Sequence, residues 1–518
     1  MNGAQALVKT LVNCGVDVCF SNPGTSEMHF IAALDSVPEM RAILTLFEGV
    51  ATGAADGFAR MARRPASTLL HLGPGLANGA ANLHNARKGQ SPVVNIVGDH
   101  ATYHRKYDAQ LQSDIETVAR NCSTWVRTSR RTIDLARDAA DAVVAAAGPP
   151  GQVATLILPA DVSWSEGGQV ADPRPATIAP VAPDAAIERA AAALRSGQPT
   201  ALLLGCNALL EPGLTAAARI AQGFGAKLLA ETFPARLERG AGLPAIERLA
   251  YLAEMTAVQL AGLRNLIIVD TKPPVSFFAY PDKASYLVPD GCEVQQLSGA
   301  TDDAVGTLTA LAEYLGVANA TVETVEASRP QTPTGELTPE TIAQALGALL
   351  PEDAIVSDEG NTTALLAPVY TAGAPRHDWL SLTGGAIGQG LPVATGAAIA
   401  CPDRRVISLE ADGSSMYTIQ ALWTQAREQL DVTTVIFNNS NYALLNMELA
   451  RTGAQGAGPR AKRMLNLENP TMNFVEISTG LGVPATRVTT ADELVTALNR
   501  SIAEPGPQVV EAIVPSMF

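Results

Sequence analysis

Short apolar runs recur along the chain, and the stretches between them carry apolar residues at helical spacing. Near the N-terminus, Leu7 and Leu11 lie on one side of a predicted helix that leads into the apolar run Val16–Phe20. Further runs that predict buried strands are Thr68–Leu72, Val93–Val97, Ala154–Leu158, Thr200–Leu204, Asn265–Asp270, Ala354–Val356, Arg405–Leu409 and Thr433–Phe437. Alternation of such strands with amphipathic helices is typical of parallel sheets covered by helices. The pattern therefore predicts an α/β protein built from doubly wound parallel sheets.

Two polar, proline-rich stretches interrupt this pattern, at 172–184 and 318–337. Neither a helix nor a central strand tolerates the four prolines of the first stretch, and the second is polar with Pro330 and Pro333, so both are predicted to be linkers. After the second, Thr338 is suited to cap a helix whose first turn contains Pro339. A chain of 518 residues is also too long for one hydrophobic core. We therefore predict three domains, which comprise residues 1–171, 185–317 and 338–518.

Composition narrows the class of protein. Hydrophobic residues make up 47% and charged residues 17%, a balance typical of packed globular domains and not of disordered chains. The formal net charge of −15 disfavours binding to nucleic acid. Apolar runs fall short of the ~20 residues that span a bilayer, and Met1–Phe20 lacks the basic start of a signal peptide. The six cysteines are scattered without metal-binding spacing. We expect a cytoplasmic protein without membrane or nucleic-acid partners.

Two of the predicted strands end in residues that suit a metal ion and a phosphate group. The strand Arg405–Leu409 leads into a tight turn that contains Asp412, Gly413 and Ser414. Asn439 follows the next predicted strand, so its amide is expected at the same edge of the sheet. Carboxylate and amide oxygens are ligands of Mg²⁺, and backbone N–H groups near a helix N-terminus bind phosphate. The alternative interpretation is that both turns are ordinary solvated loops.

Two further turns have residue types that suit a ligand. Thr383–Pro392 contains four glycines around Ile387, which would let a ligand ring lie directly against the backbone. Ser357–Thr363 places hydroxyl and amide donors after another predicted strand. The glycine spacing in Thr383–Pro392, and in Gly73–Gly79, differs from the dinucleotide fingerprint, so an NAD-dependent dehydrogenase is only weakly supported.

Glu48 is the unusual residue of the first block because it stands alone in the apolar stretch Leu44–Val50. A carboxylate is costly to bury unless it has a partner or takes up a proton. The alternative is a carboxylate that faces the dipole at a helix N-terminus. Downstream, Gly49, Gly53 and Gly57 recur at every fourth position, which predicts that this helix packs closely against another element.

His71 is placed by the same pattern at the carboxyl end of the predicted strand Thr68–Leu72. A histidine there is suited to acid–base chemistry, and a structural, hydrogen-bonded role is an equal alternative. The other histidines of this block, His84, His100 and His104, lack the spacing and third residue of a metal cluster.

Taken together, these features resemble the thiamine diphosphate enzymes, and in particular the branch of acetolactate synthase large subunits and benzoylformate decarboxylases. The resemblance is carried by the Asp412-Gly413-Ser414 turn with its distant asparagines, the turn 384–388, Glu48, and Asn22-Pro23-Gly24. It covers nearly the whole chain and is weakest in the middle block. One departure is Ala411, where the family usually has glycine; its added methyl leaves the oxygen atoms of Asp412 untouched.

The resemblance implies a pyrimidine-binding domain at the N-terminus, a central domain, and a diphosphate-binding domain at the C-terminus. The residues implied to bind thiamine diphosphate or its Mg²⁺ are Asn361, Thr362, Gly385, Ile387, Asp412, Gly413, Ser414, Asn439, Asn441 and Tyr442. Among them, Asp412, Asn439 and the main-chain oxygen of Asn441 would be the metal ligands, and the Ile387 side chain would lie between the two rings of the cofactor.

The resemblance also implies the chemistry, which is cleavage of the C–C bond next to the carbonyl of a 2-oxo acid. Glu48 would hydrogen-bond N1′ of the aminopyrimidine and so help to activate C2 of the thiazolium. His71 matches an active-site histidine of the decarboxylases, and Thr25 replaces the serine that they direct at the substrate carboxylate. Glu48 would reach a cofactor held by another subunit, so we expect a homodimer or homotetramer with active sites at the subunit interface.

Neither branch of the family fixes the outcome of the reaction, which is an aldehyde in one and a carboligation product in the other. A second histidine of the decarboxylases has no match near Phe277 and Phe278, which are candidates to shape the substrate pocket together with 443–468. The FAD signatures of acetolactate synthases are missing from 231–281, so FAD is not expected. Leu111 and Ala279 lie in stretches that differ from the active-site motifs of the two branches. This difference leaves open a catalytically impaired regulatory or scaffold subunit.

Overall fold

The computed structural model describes residues 1–454 and 458–516 and contains three β-sheets, each formed mainly by one block of the chain. The first is a six-stranded parallel sheet in the order β2-β1-β3-β4-β6-β5. Its strands are β1 Val18–Ser21, β2 Arg41–Leu44, β3 Ala66–Leu70, β4 Val93–Asp99, β5 Trp125–Thr128 and β6 Val153–Pro159. Its helices are α1 Gly3–Asn13, α2 Met28–Leu34, α3 Glu48–Ala62, α4 Leu72–Lys88, α5 Ile115–Arg120, α6 Thr132–Ala147 and α7 Ala160–Trp164.

The middle block forms a five-stranded parallel sheet in the order β10-β8-β7-β11-β12. Its strands are β7 Thr200–Leu204, β8 Lys227–Ala230, β10 Glu247–Arg248, β11 Asn265–Val269 and β12 Glu293–Ser298, and the intervening strand β9 Leu237–Arg239 belongs to another sheet. Its helices are α8 Asp184–Arg195, α9 Glu211–Phe224, α10 Ala253–Leu260 and α11 Ala304–Leu315. Residues 172–183 contain no helix or strand, as expected of a linker.

The last block forms a seven-stranded sheet in the order β17-β18-β16-β15-β13-β14-β9. Its strands are β13 Ala354–Glu359, β14 His377–Ser381, β15 Val406–Ala411, β16 Val432–Asn438, β17 Ala485–Val488 and β18 Gln508–Ile513. Its helices are α12 Pro339–Leu349, α13 Ala367–Tyr370, α14 Gly390–Ala400, α15 Asp412–Ser415, α16 Ala421–Glu428, α17 Ala443–Arg451, α18 Pro459–Arg463, α19 Phe474–Gly480 and α20 Ala491–Ala503.

The three predicted parallel α/β sheets are thus confirmed, with one addition. Strand β9 comes from the middle block and pairs antiparallel with β14 at the edge of the third sheet. Antiparallel edge strands on otherwise parallel sheets are common in large α/β proteins. The predicted start of a helix at this point is confirmed too, because Thr338 caps α12 through the Thr341 N–H and Pro339 is its first residue.

Helix α3 packs against α14 of the last block, as the spacing of its glycines predicts. A Cβ at Gly57 would overlap the Val393 carbonyl oxygen, and one at Gly396 would overlap that of Ala54. Only glycine allows the two helix backbones to approach this closely. This contact joins the first and last blocks along the helices that begin at Glu48 and Gly390. None of the helices in the described part of the chain is both long and apolar enough to cross a membrane.

Candidate active site

Asp412 lies directly after β15 and is 2% exposed. Because β15 and β16 pair in parallel, with Ala411 opposite Phe437, the residues that follow the two strands meet at one edge of the sheet. The Asn439 N–H donates to Asp412 Oδ2 at 3.1 Å, and the Asn441 N–H donates to Asn439 Oδ1 at 2.9 Å. Burial raises the pKa of the Asp412 carboxyl above its usual value. A bound cation would offset this cost of burying the carboxylate.

The donor set around Asp412 fits Mg²⁺, which prefers oxygen ligands and usually takes few protein carboxylates. Asp412 would supply a carboxylate, Asn439 an amide oxygen and Asn441 a main-chain oxygen, and hydrogen bonds from the backbone N–H groups of the two asparagines link the three residues. Within residues 1–454 and 458–516, no three His, Cys, Asp or Glu side chains lie close enough to hold a metal together. Ala411, the departure from the family pattern, ends β15, and its carbonyl accepts a hydrogen bond from the Ser414 hydroxyl.

Three more residues expected at the cofactor lie beside this set. The Tyr442 ring packs against the turn, since a Cβ at Gly413 would overlap it. Asn361 and Thr362 follow β13, which pairs with β15 so that Glu359 lies opposite Glu410. No other described residue hydrogen-bonds to either side chain, so both are available to an added diphosphate.

The turn 384–390 connects β14 to α14 and carries Ile387 between Gly385 and Gly388, both of which have positive φ. The buried Glu359 carboxylate accepts hydrogen bonds from Gly388 N at 2.7 Å and Gly390 N at 2.6 Å. Burial raises the pKa of Glu359 to about 7. Since Glu359 ends β13, which precedes Asn361, one strand end positions both the turn and the candidate diphosphate residues.

Glu48 is the first residue of α3 and is 8% exposed. Its Oε2 accepts a hydrogen bond from Asn78 Nδ2 at 3.0 Å, which supplies the partner that a buried carboxylate requires. Both alternatives considered from the sequence therefore hold in part, since Glu48 is at a helix N-terminus and is also buried. A Cβ at Gly75 would lie 2.9 Å from Glu48 Oε1 and 3.4 Å from His71 Cβ, so Glu48 and His71 both lie next to the first turn of α4.

His71 is the N-cap of α4, and the strand that was expected to include it ends at Leu70. Its Nδ1 lies 2.8 Å from Oε2 of Glu27, which is fully buried. The Gly24 N–H and the Ser26 hydroxyl also donate to this carboxylate, at 2.7 and 2.6 Å. With its proton on Nδ1 the imidazole donates to this carboxylate, and Nε2 has no hydrogen-bond partner among the described residues.

Sequence reasoning missed Glu27. It lies two residues after Thr25 in the turn that carries the family resemblance, yet its partner His71 is 44 residues away along the chain. The position of a carboxylate so close to Asn22-Pro23-Gly24 is the sequence feature that could have indicated a role for Glu27. Thr25 is exposed beside this pair, so its hydroxyl is accessible to a ligand.

Aromatic side chains of the middle block lie next to the turn 384–390. A Cβ at Gly385 would overlap the Phe277 ring, which contacts Phe278, Tyr251 and Phe233 at ring-centroid distances of 4.9, 5.5 and 5.7 Å. Phe277 and Phe278 remain 43% and 54% exposed. The two phenylalanines thus form an apolar wall beside the turn that carries Ile387.

The fold and these strand-end residues define a cofactor-binding α/β enzyme, and comparison with known proteins identifies the family. Residues 1–119 match the thiamine pyrophosphate enzyme N-terminal TPP binding domain, and residues 358–512 match the C-terminal TPP binding domain. The chain belongs to the thiamine pyrophosphate (thiamine diphosphate) enzyme family, which confirms the resemblance drawn from its motifs.

The chain is similar along its full length to curated relatives. It is 59% identical over 522 residues, with 100% of both chains covered, to the "Putative acetolactate synthase large subunit IlvX" of Mycobacterium tuberculosis. It is 28% identical to benzoylformate decarboxylase of Pseudomonas aeruginosa, with 96% of each chain covered. Among solved structures, the thiamine diphosphate-dependent 4-hydroxybenzoylformate decarboxylase of Rhodococcus jostii shares the fold, with a TM-score of 0.85, 22% identity and 99% coverage of both chains.

Proposed function

We propose that the protein is a thiamine diphosphate- and Mg²⁺-dependent enzyme that decarboxylates a 2-oxo acid without oxidation. Bound thiamine diphosphate supplies the electron sink that accepts the electrons of the broken C–C bond. The observation that carries the proposal is that a buried Asp412 carboxylate, hydrogen-bonded by the Asn439 N–H, and a buried Glu48 paired with Asn78 occur in one chain. The first fits a metal-bound diphosphate, and the second fits a proton-holding group for the aminopyrimidine.

Each residue has a role that follows from its position. Asp412, Asn439 and the Asn441 main-chain oxygen would hold Mg²⁺, while Asn361, Thr362, Gly413 and Ser414 would hold the diphosphate. Glu48 would hold a proton at N1′ of the aminopyrimidine, and proximity within the bound complex would make this effective. The Ile387 side chain would fix the angle between the cofactor rings, with Gly385 and Tyr442 packed beside them.

On the substrate side, the Glu27–His71 pair presents Nε2 of the imidazole as the group that moves a proton at the substrate. The exposed Thr25 hydroxyl would hydrogen-bond the substrate carboxylate. Phe277 and Phe278 would face the substrate side chain, which favours an apolar group there. Release of an aldehyde and addition to a second carbonyl both remain compatible with these groups, so products must be identified directly.

The experiment is to incubate the purified protein with thiamine diphosphate, Mg²⁺ and 2-oxo acids that carry methyl, branched alkyl or aryl side chains. Evolved CO₂ and the organic product, an aldehyde or a 2-hydroxy ketone, are measured for each. Glu48→Gln is expected to slow exchange of the C2 proton of the bound cofactor by about 100-fold or more, since it removes the proton-holding carboxylate. Exposed Glu39→Gln is the control.

Cofactor binding without CO₂ from any substrate would contradict the proposal and favour the alternative of a regulatory subunit. We further propose that the enzyme works as a homodimer or homotetramer in which Glu48 of one protomer serves the cofactor held by its partner.

A further inference from the structure

Two asparagines on α4 connect the first block to the turn 384–390. Asn82 and Asn85 are 2% and 0% exposed. Asn82 Nδ2 donates to the main-chain oxygen of Gly49 at 2.8 Å and to that of Gly388 at 3.2 Å. A single side chain thus joins the first turn of α3, next to Glu48, to the turn that carries Ile387.

Asn85 pairs with both main-chain polar groups of Ala386. Its Nδ2 donates to the Ala386 oxygen at 2.8 Å, and its Oδ1 accepts from Ala386 N at 3.2 Å. Asn85 Nδ2 also donates to Asn82 Oδ1 at 3.0 Å, which ties the two amides into one network. The amide of Asn85 therefore pairs with the N–H and the carbonyl of Ala386, as the backbone of a neighbouring β-strand does.

The contact requires a close approach of backbone to helix. A Cβ at Gly384 would overlap Asn85 Oδ1, so only glycine lets the turn lie directly on α4. The Gly384 oxygen lies 3.1 Å from Nε2 of His84, and the Thr383 hydroxyl donates to the Asn85 main-chain oxygen at 2.7 Å. Thr383, Gly384 and Ala386 are thus each hydrogen-bonded to α4.

The turn has no helix or strand of its own between β14 and α14, so its backbone groups depend on partners elsewhere. Glu359 accepts from two N–H groups, and α4 pairs with Ala386 N and with the carbonyl groups of Gly384, Ala386 and Gly388, the last of which also accepts from the Thr418 hydroxyl. Because these partners are buried and already paired, they hold the turn without a ligand.

We propose that Asn82 and Asn85 are positioning residues through which the N-terminal block preforms the turn 384–390 before the cofactor binds. The step from the turn to the cofactor rests on the proposed function, in which this turn holds the aminopyrimidine. A turn fixed in advance loses less conformational freedom on binding, which strengthens affinity.

Asn95 offers a matched control for the general cost of losing a buried amide. It is 0% exposed in β4, its Nδ2 donates to Thr155, and its Oδ1 accepts from Thr68. All three of these residues belong to the first sheet. Asn95→Leu should therefore lower stability without disturbing the turn.

The test compares hydrogen–deuterium exchange in the full-length protein without cofactor for Asn82→Leu, Asn85→Leu and Asn95→Leu. Peptides that cover 383–390 are expected to exchange about tenfold faster or more in the first two variants, because local opening becomes easier. In Asn95→Leu these peptides should exchange as in the wild type. Unchanged exchange in both Asn82→Leu and Asn85→Leu, or an equal rise in Asn95→Leu, would overturn the proposal.

Calorimetric titration with thiamine diphosphate and Mg²⁺ tests the link to the cofactor. Affinity should fall about tenfold in Asn82→Leu and Asn85→Leu, which corresponds to 1.4 kcal/mol. Faster exchange with unchanged affinity would support the role of the two asparagines in holding the turn but overturn the assignment of the turn to the cofactor. If either leucine variant does not fold, Asn82→Ser and Asn85→Ser, which keep one polar group, are used with Asn95→Ser as control. The same differences in exchange rate and in cofactor affinity are expected.

Discussion

His71 illustrates how a neighbouring side chain determines what a histidine can do. Alone, it was compatible with a catalytic or a structural role, but its Nδ1 hydrogen bond to the buried Glu27 carboxylate leaves Nε2 as the available nitrogen. Gly24 and Ser26 hold the same carboxylate, so the imidazole is fixed in position as well as in tautomer. A group that both orients an imidazole and sets its tautomer strongly affects proton transfer.

Glu27→Gln should therefore lower kcat by roughly 100-fold, because the amide no longer provides the charge that favours a proton on Nδ1. Affinity for thiamine diphosphate should be unchanged, since the proposed function assigns Glu27 to the substrate side of the site. Steady-state kinetics and calorimetry measure the two effects separately. Exposed Glu39→Gln is the control, and equal loss of kcat and cofactor affinity in Glu27→Gln would contradict the assigned role.

Asp412 provides a second test at the level of one residue, because its burial is unfavourable without a cation. Asp412→Asn keeps the shape of the side chain and removes the buried charge. The protein without cofactor should change little in thermal stability, because relief of the buried charge is offset by loss of one of the two backbone hydrogen bonds that the carboxylate accepts. The stabilisation by thiamine diphosphate with Mg²⁺ should disappear. Differential scanning calorimetry with and without both ligands measures the thermal stability of the variant and its increase on ligand binding. A variant still stabilised by both ligands would exclude Asp412 as a metal ligand.

At the level of secondary structure, the strand ends of the middle sheet carry carboxyl groups that the proposed reaction does not use. Asp270 follows β11 and is 4% exposed, and the Asn207 N–H donates to its Oδ2 at 3.3 Å. Burial, with a further contribution from Glu231 and Asp302, raises the pKa of Asp270 to about 7. The folded protein therefore keeps this proton to a higher pH than the unfolded chain.

The sign of the pH effect follows from this difference. Between about pH 4, where an unfolded aspartate ionises, and pH 7, the folded state binds more protons, so the free energy of unfolding falls as pH rises. One such group contributes at most about 1.4 kcal/mol per pH unit. Asp270→Asn should remove the contribution of this group to the pH dependence of the free energy of unfolding, and the variant should be more stable than the wild type at pH 8. Urea unfolding from pH 5 to pH 8 measures the pH dependence of the free energy of unfolding, with exposed Asp290→Asn as control. The same pH dependence in Asp270→Asn as in the wild type would contradict the prediction.

Local patterns predicted the elements that depend on adjacent residues. The strand before Asp412 and the cap at Thr338 were predicted because apolar runs and capping residues act within a few positions. Strand β9 was not predicted, since three residues from the middle block become a strand only by pairing with β14, more than 130 positions later. The Asn82–Asn85 network was missed for a similar reason, because asparagines in a helix show no pattern until the turn they hold is placed beside them.

For the whole molecule, the main question is which protomer supplies each half of the site. Within one chain, Glu48 and His71 lie at the start of α3 and α4, and Asp412 lies at the end of β15. Helices α3 and α14 hold these two halves in a fixed relation through their close backbone contact. A two-fold dimer would place the Glu48 half of each protomer against the Asp412 half of the other.

Mixed oligomers test this arrangement. Glu48→Gln alone and Asp412→Asn alone should each be inactive, because every site then lacks one essential group. In a dimer that contains one protomer of each kind, one site combines the intact Asp412 of the first with the intact Glu48 of the second, and the other site carries both changes. Since random assembly makes half of the dimers mixed, co-expression of the two variants should restore about a quarter of the wild-type activity.

The controls for this experiment are each variant purified alone and the double variant Glu48→Gln/Asp412→Asn co-expressed with either one. None of these contains an intact site, so none should recover activity if sites form between protomers. Failure of the mixed Glu48→Gln and Asp412→Asn protein to recover activity, with mixed oligomers demonstrated by differential tags, would mean that both halves of the site come from one chain. That result would exclude an active site shared across the subunit interface while leaving the roles of Glu48 and Asp412 in place.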